Sequence, residues 1–462
     1  MSDPPKERVA GLAPPPDDRV YLAYIASALI SALAGGFLLA VWMPLAATDT
    51  VGPAYRVPWM IQAHGWIQLQ GWAGLFVAGM GIRLLPRFAG RRPVQPGTTV
   101  PLLIILIIPV VLRLAIQPWA EDGLAKWGAI AIGVLSAAGQ LGVAAVLLYN
   151  LIKGRKVREA WRWFALAGAA WWVVWAALSL LFIPHSGIPG YLDPADNDAL
   201  LWVTMLGPVG NFIWSVQSRS VPVFFARKSP TLRAAVLPGI AFNAGAAAIV
   251  IATAGVGSRT AWEGAGFLLA GVGLAILPPM CGAVRGEPTR LRPRARSAAR
   301  FVLVANSAAV LAGLLLCVAG VLMLSGHNGT VAIDARDAAR HAFGIGLITM
   351  LILGMARLVA PIFALERTES GVPEALEHSP FWLLTAALVL RVGSALIAGP
   401  LGYENRMHTA SLAGLLGWLA IAVFAFSVAR AMRAAPRTKR ALEEAAVHAR
   451  NQRSDSSQGP GA

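Results

Sequence analysis

Charge is what this sequence has least of. Only 13% of its 462 residues are Asp, Glu, Lys or Arg, against roughly 25% in soluble globular chains. A further 56% are apolar, and the mean hydropathy is +0.62. Too little polar surface is available to wet several soluble domains, which excludes a cytoplasmic enzyme and places the chain in a membrane. Cysteine is nearly absent. Cys281 and Cys317 both lie in apolar stretches, which excludes a disulfide framework and a CxxC metal site. Any cofactor must be held by other ligands. Acidic residues are also scarce, 23 against 39 basic ones, for a net charge of +16. A nucleic-acid partner would need that charge gathered on one folded face, and it is spread through loops instead.

What is abundant is long apolar runs. Stretches of about 20 apolar residues read as membrane helices, and twelve are expected: 21–45, 60–87, 99–118, 126–152, 163–184, 199–225, 234–254, 261–283, 301–325, 339–364, 380–399 and 408–432. The fold class expected is all-α integral membrane. The first run is read as a span and not a cleaved leader, since eleven more follow it. Residues 1–20 are Pro-rich, and the stretch from Arg433 ends in a polar, Gly- and Ser-containing run. Both are expected to be disordered tails. Lys and Arg are sorted strongly: 27 of the 39 fall in the two tails and the loops on the same side, six in the opposite loops and six within helices. The positive-inside rule then puts both termini in the cytoplasm of a multi-pass protein of the bacterial inner membrane, and the basic loops face anionic lipid.

An internal repeat is visible. Gly79 to Phe88, Ser218 to Phe224 and Gly354 to Phe363 carry an arginine near the end of the second, sixth and tenth helices, namely Arg83, Arg219 and Arg357. Twelve helices with a mark on every fourth imply three pseudo-symmetric four-helix units, about 21–152, 160–285 and 300–432, around a pseudo-three-fold axis. The three arginines either snorkel to headgroups or form a vestibule that attracts anions.

Intramembrane ionisable residues are functional candidates by default, so the seven histidines sort the chemistry. His378 and His448 fall in a cytoplasmic loop and tail, and His185 and His327 in outer loops. His185 shares its loop with Asp193, Asp196 and Asp198, a candidate cation site or a solvated loop. His408 opens the last helix, as an interfacial residue or a secondary metal ligand. His64 and His341 differ: each lies in the first turns of an apolar helix. At about 1.5 Å per residue they sit roughly 28 Å and 24 Å from Arg83 and Arg357, so at similar depth. They are either hydrogen-bonded cross-links between helices or a pair of imidazoles holding a haem iron from both sides. The haem propionates would need cations. Arg340, Arg406, Arg336 and Arg113 are at the right level, with Arg391 deeper. Gln68, one turn beyond His64, shares its face and is a candidate to orient the imidazole or a ligand. Gln62 also flanks His64. The sixteen tryptophans are expected mostly as interfacial anchors.

The stretch Gln62-Ala63-His64-Gly65-Trp66-Ile67-Gln68-Leu69-Gln70-Gly71-Trp72, and Arg340-His341-Ala342-Phe343-Gly344-Ile345-Gly346 with Met355-Ala356-Arg357, resemble the second- and tenth-helix signatures of the NnrS family. The resemblance covers the length and helix count of the chain. It implies a haem- and copper-containing polytopic protein of bacterial inner membranes in the nitric-oxide and denitrification response. Its layout is similar to the catalytic subunits of haem-copper oxidases. It further implies that His64 and His341 ligate a haem b, leaving His408, Met407 and the outer-loop histidines His185 and His327 as the remaining candidates for copper. The chain departs from the family pattern at Gln62, where a histidine is usual, and at Ala360-Pro361-Ile362-Phe363, where a His-Thr-Gly-Arg run is usual. Helices six and seven contain no histidine, so no binuclear centre is expected. The function implied is nitric-oxide binding or detoxification, or electron transfer to a redox partner. The rival readings are a transporter of a small or anionic solute and a cofactor-free assembly partner.

Overall fold

The computed structural model describes residues 20–52, 54–117, 124–184, 191–225, 228–281, 293–359 and 374–457. Most of the expected N-terminal tail, and His185, lie outside them. The described chain is helical, and eleven of its helices are long and apolar enough to cross a membrane. The long helices are α1 (Val20–Ala46), α2 (57–88), α3 (Pro96–Ile116), α4 (Leu124–Lys153), α5 (Ala160–Phe182) and α6 (Pro194–Val223), followed by α7 (Leu232–Thr253), α8 (Arg259–Met280), α9 (Pro293–Leu324), α10 (Thr330–Arg357), α11 (Glu374–Leu396) and α12 (Tyr403–Ser457). By composition α2 stands apart from the eleven: Gln62, His64, Gln68 and Gln70 crowd its first half, although it has ample length. The last helix continues to Ser457, through most of the stretch expected as a tail. That segment is rich in Ala, Arg, Glu and Lys, all strong helix formers.

Burial divides the helices into two classes. In α6 every residue of the apolar window is buried and in α10 78% are, whereas the nine other spans bury 39–50%. In α2 every residue from Leu69 to Pro86 is buried. A helix buried all round must be surrounded by other helices, so α2, α6 and α10 form the interior. The other nine expose large apolar side chains such as Leu237, Val389 and Leu181, as lipid-facing helices do. The perimeter is continuous: α4 packs on α5, α8 on α9, and α12 returns to α1. That last contact is antiparallel, with the Trp418 indole donating to the Leu33 carbonyl and Ser411 to the Val41 carbonyl. The start of α1 therefore lies at the end of the bundle from which α12 leaves, here the near end; the opposite one is the far end.

Each interior helix is interrupted by a π-helical segment, at Ile67–Gly74, Met205–Gly210 and Ala342–Thr349. Their starts are 138 and 137 residues apart, close to the spacing of the arginines. Such segments widen the helix and free carbonyls, which other donors must satisfy within a membrane. In α6, Pro208 lacks the N–H that would continue the ladder, and Asn211 Nδ2 donates to the Leu206 and Gly207 carbonyls. In α10 the Thr349 hydroxyl donates to the Gly344 carbonyl.

Candidate functional site at the far end of the bundle

His64 lies three residues before, and His341 directly before, the π segment of its interior helix. The structure brings them within electrostatic reach of one another and of Arg340 and Arg391. Their ring hydrogen bonds match. His64 Nδ1 donates to the Gly36 carbonyl of α1 at 2.8 Å, and His341 Nδ1 donates to the Asp337 carbonyl one turn earlier at 2.8 Å. A carbonyl can only accept, so Nδ1 carries the proton in both rings, and in the neutral imidazole Nε2 then keeps its lone pair. Both imidazoles remain half-buried where their neighbours are buried, as do Gly65, Gln68, Gly344 and Ile345. A Cβ added at Gly344 would meet nothing within 4 Å. These residues mark an opening inside the bundle. Gln68 packs its amide on Gly36, where a Cβ would lie 2.9 Å from Gln68 Cδ. It thus crowds the residue whose carbonyl orients His64, and Gly36 must be glycine for that approach.

Around His341 is a network that the sequence reading did not assemble. Asp337 Oδ1 lies 3.2 Å from His341 Nδ1. Its carboxylate accepts from Arg391 at 2.9–3.0 Å and from Arg406 at 3.3 Å. Arg406 also pairs with Asp334 at 2.9 Å. Arg340 pairs with Asp198, and Arg336 with Asp198 and Glu263. Arg259 joins Asp196 at 2.8 Å and Glu263 at 2.9 Å. Five arginines thus face five carboxylates across α6, α8, α10, α11 and α12, so the cluster is formally neutral. Arg340 and Arg406, expected as free cations for haem propionates, already have carboxylate partners. Only single donors such as Arg340 Nε and Arg391 Nη1 are left unpartnered. The acidic residues read as a candidate cation site or a solvated loop are used within the fold. Asp193 caps α6 by accepting from the Ala195 N–H, and Asp196 and Asp198 belong to the arginines. Acidic residues on α8 and α10 at helical spacing could have suggested the network, but partners on five helices could not be matched without the fold.

His408 is the expected site residue that stands apart. It is exposed, 3.7 Å from Glu404 of its own helix. Among the described residues no group of three or more His, Cys, Asp or Glu side chains is placed to hold a metal ion. His327 is exposed and bonded to Ser325, as a loop residue should be. Gln62 is a clamp. Its Nε2 donates to the Leu192 carbonyl at 2.7 Å, and its Oε1 accepts from the Leu192 N–H at 3.0 Å and from Gln117 at 3.2 Å.

At the near end each of the three arginines of the repeat lies over an aromatic ring of a perimeter helix. Arg83 stacks over Tyr21 at 3.8 Å, Arg219 over Trp161 at 5.4 Å and Arg357 over Phe301 at 4.8 Å. The three aromatics are each 140 residues apart, on α1, α5 and α9. A guanidinium in an apolar setting is better served by an aromatic face than by an empty channel. Inside this layer, α2, α6 and α10 enclose a cavity of about 60 Å³ lined by Phe76, Phe212 and Ile348 and by Met80, Val216 and Ile352. Each trio is spaced by 136 residues. The tryptophans depart from expectation as well: Trp66, Trp72, Trp161, Trp172, Trp175, Trp202 and Trp214 are fully buried. Some tie interior helices together, Trp66 donating to Asn197 and Trp72 to Thr349, which interfacial anchoring does not explain.

No model of a known protein family matches the chain, and no curated protein matches it.

Proposed function

We propose that the chain is a twelve-span, three-unit protein of the bacterial inner membrane with both termini cytoplasmic. In this reading it is of the NnrS type and holds one haem b near the periplasmic face between His64 and His341. The observation that carries the ligand assignment is the shared Nδ1–carbonyl hydrogen bond, which leaves Nε2 of both imidazoles available and fixes their orientation, as metal-bound histidines require. The spans are twelve if α2, long but polar, crosses with the others. The three units are supported by three matched sets of features: π segments, arginine–aromatic stacks and the trios around the central cavity.

The residues present fit a bis-imidazole haem. Asp337 accepts from His341 and is itself held by Arg391 and Arg406, so the ring cannot swing. Gly36 and Gln68 do the same for His64. The unpartnered Arg340 Nε and Arg391 Nη1 are the donors nearest to hand for propionates. Held by the two imidazoles, such a group would supply one-electron transfer, tuned by ligand type and burial. Copper does not fit: His408 is exposed, and among the described residues no third ligand gathers beside it. The connection to nitric oxide, as ligand or as the species detoxified through a redox partner, rests on the sequence resemblance. A small-anion transporter is less well supported, because the cavity on the central axis is apolar.

The test is the absorption spectrum of detergent-purified protein from haem-replete cells, oxidised and dithionite-reduced, with and without nitric oxide. Sharp reduced bands that nitric oxide perturbs, and that H64A and H341A lose while remaining helical, are expected. A featureless visible spectrum overturns the reading.

A further inference from the structure

Arg113 sits in the last turn of α3 at the far end, with 3% of its surface exposed. Its Nη1 donates to Gln117 Oε1 at 2.8 Å, and its guanidinium carbon lies 4.6 Å from the centre of the Trp66 ring. Among the described residues its Nε and Nη2 have no hydrogen-bond partner, and no carboxylate pairs with it. The five arginines of the far-end network each face an acid; this one, more deeply buried than any of them, does not. Arginine stays protonated in proteins, and a buried cation without a counter-charge is strongly disfavoured. A stacked aromatic recovers only part of that cost.

The two unsatisfied nitrogens identify the missing partner. Nε and Nη2 form one edge of the guanidinium, with two parallel N–H groups spaced to meet two oxygens of a carboxylate or a planar oxyanion. A halide would satisfy one direction, and a divalent oxyanion would leave a buried negative charge in excess. The surroundings are held in place. Gln117 accepts from Arg113 and donates to Gln62, both polar atoms of Gln62 engage Leu192, and the Trp66 indole donates to Asn197. We propose that Arg113 is the recognition residue of a buried site for a single monovalent carboxylate or planar oxyanion. The anion is either a small solute such as formate or acetate, or the carboxylate of a larger ligand, of which a haem propionate is the case that rests on the preceding reading.

The experiment uses the full-length protein in detergent. Thermal unfolding is followed at constant ionic strength while sodium formate replaces sodium chloride, for wild type, R113Q, R113K and the exposed control R92Q. A free-solute site gives a saturable rise in unfolding temperature with formate in wild type and R92Q, absent in R113Q and weakened in R113K, which keeps charge but lacks the paired donors. If wild type carries stoichiometric haem and formate has no effect, the propionate is the anion. R113Q must then lower haem retention or shift the reduction potential while R92Q does neither. A formate response that survives in R113Q overturns the proposal. So does the absence of any response in haem-free wild-type protein, or haem retention and potential unchanged in haem-loaded R113Q. Because the formate arm needs no haem, its outcome is separable from that of the haem reading.

Discussion

Replacing Asp337 by Asn is the sharpest perturbation of the far-end network, because it preserves shape and removes one charge. The carboxylate is 18% exposed and is contacted by Arg391 at 2.9 Å, Arg406 at 3.3 Å and His341 at 3.2 Å. Removing one member of a buried ion pair costs about 3–5 kcal/mol, chiefly because the other charge is left uncompensated. Two features place D337N near the lower figure. Arg406 keeps Asp334 at 2.9 Å, and the site retains some exposure. A loss of about 3 kcal/mol is therefore expected in reversible unfolding in detergent micelles. The stranded group is Arg391, so R391Q combined with D337N should recover part of the loss, with a coupling of about 1–3 kcal/mol. If haem is present, loss of the carboxylate beside His341 Nδ1 makes the imidazole a poorer donor and raises the reduction potential. A D337N protein as stable as wild type to within about 0.5 kcal/mol, or strict additivity with R391Q, would refute the argument that this cluster is charge-matched.

Three further outcomes follow from packing and hydrogen bonding. Q62A strands the Leu192 N–H and carbonyl in a buried site and should lower stability by about 2 kcal/mol, read by the same unfolding assay; Q62E, which cannot donate to the Leu192 carbonyl, should not restore it. G313A forces a Cβ to 2.7 Å from the Ala275 nitrogen and the Gly271 carbonyl oxygen where α8 and α9 meet, costing about 1–3 kcal/mol, whereas G393A meets nothing within 4 Å and should be neutral or stabilising by up to about 1 kcal/mol. Enlarging Val216 to Ile into the central cavity should raise stability by up to about 0.8 kcal/mol for the added methylene; a loss of more than about 1 kcal/mol would show that the space is not available.

Much of the architecture is written in one-dimensional pattern. Apolar runs the length of a bilayer and basic residues clustered in alternate loops are local properties, because the solvent on each side of the chain acts residue by residue. The periodic recurrence of Arg83, Arg219 and Arg357 likewise needs no fold to be seen. His64 and His341 could be picked out for a related reason: an ionisable group in an apolar helix contradicts its surroundings wherever the helix packs.

What tertiary structure decided was partnership. Only packing shows that α2, α6 and α10 are interior, and so why seven tryptophans are buried and why α2 tolerates its glutamines. Arg340 and Arg406 read as spare cations until Asp198, Asp334 and Asp337 are brought to them from other turns and helices, and to the three arginines, open in the sequence between headgroup contacts and a vestibule, the fold adds an aromatic about sixty residues before each. Arg113, by contrast, looked like one more member of the outer set and has no acid beside it among the described residues. Hydropathy and propensity depend on a residue and its near neighbours, whereas the charge state of a site depends on which distant side chains arrive within about 4 Å. The sequence by itself determined that the chain lies in a membrane, roughly where its helices run and which residues are out of place there; the fold determined which of those residues compensate one another and which have no such partner among the described residues.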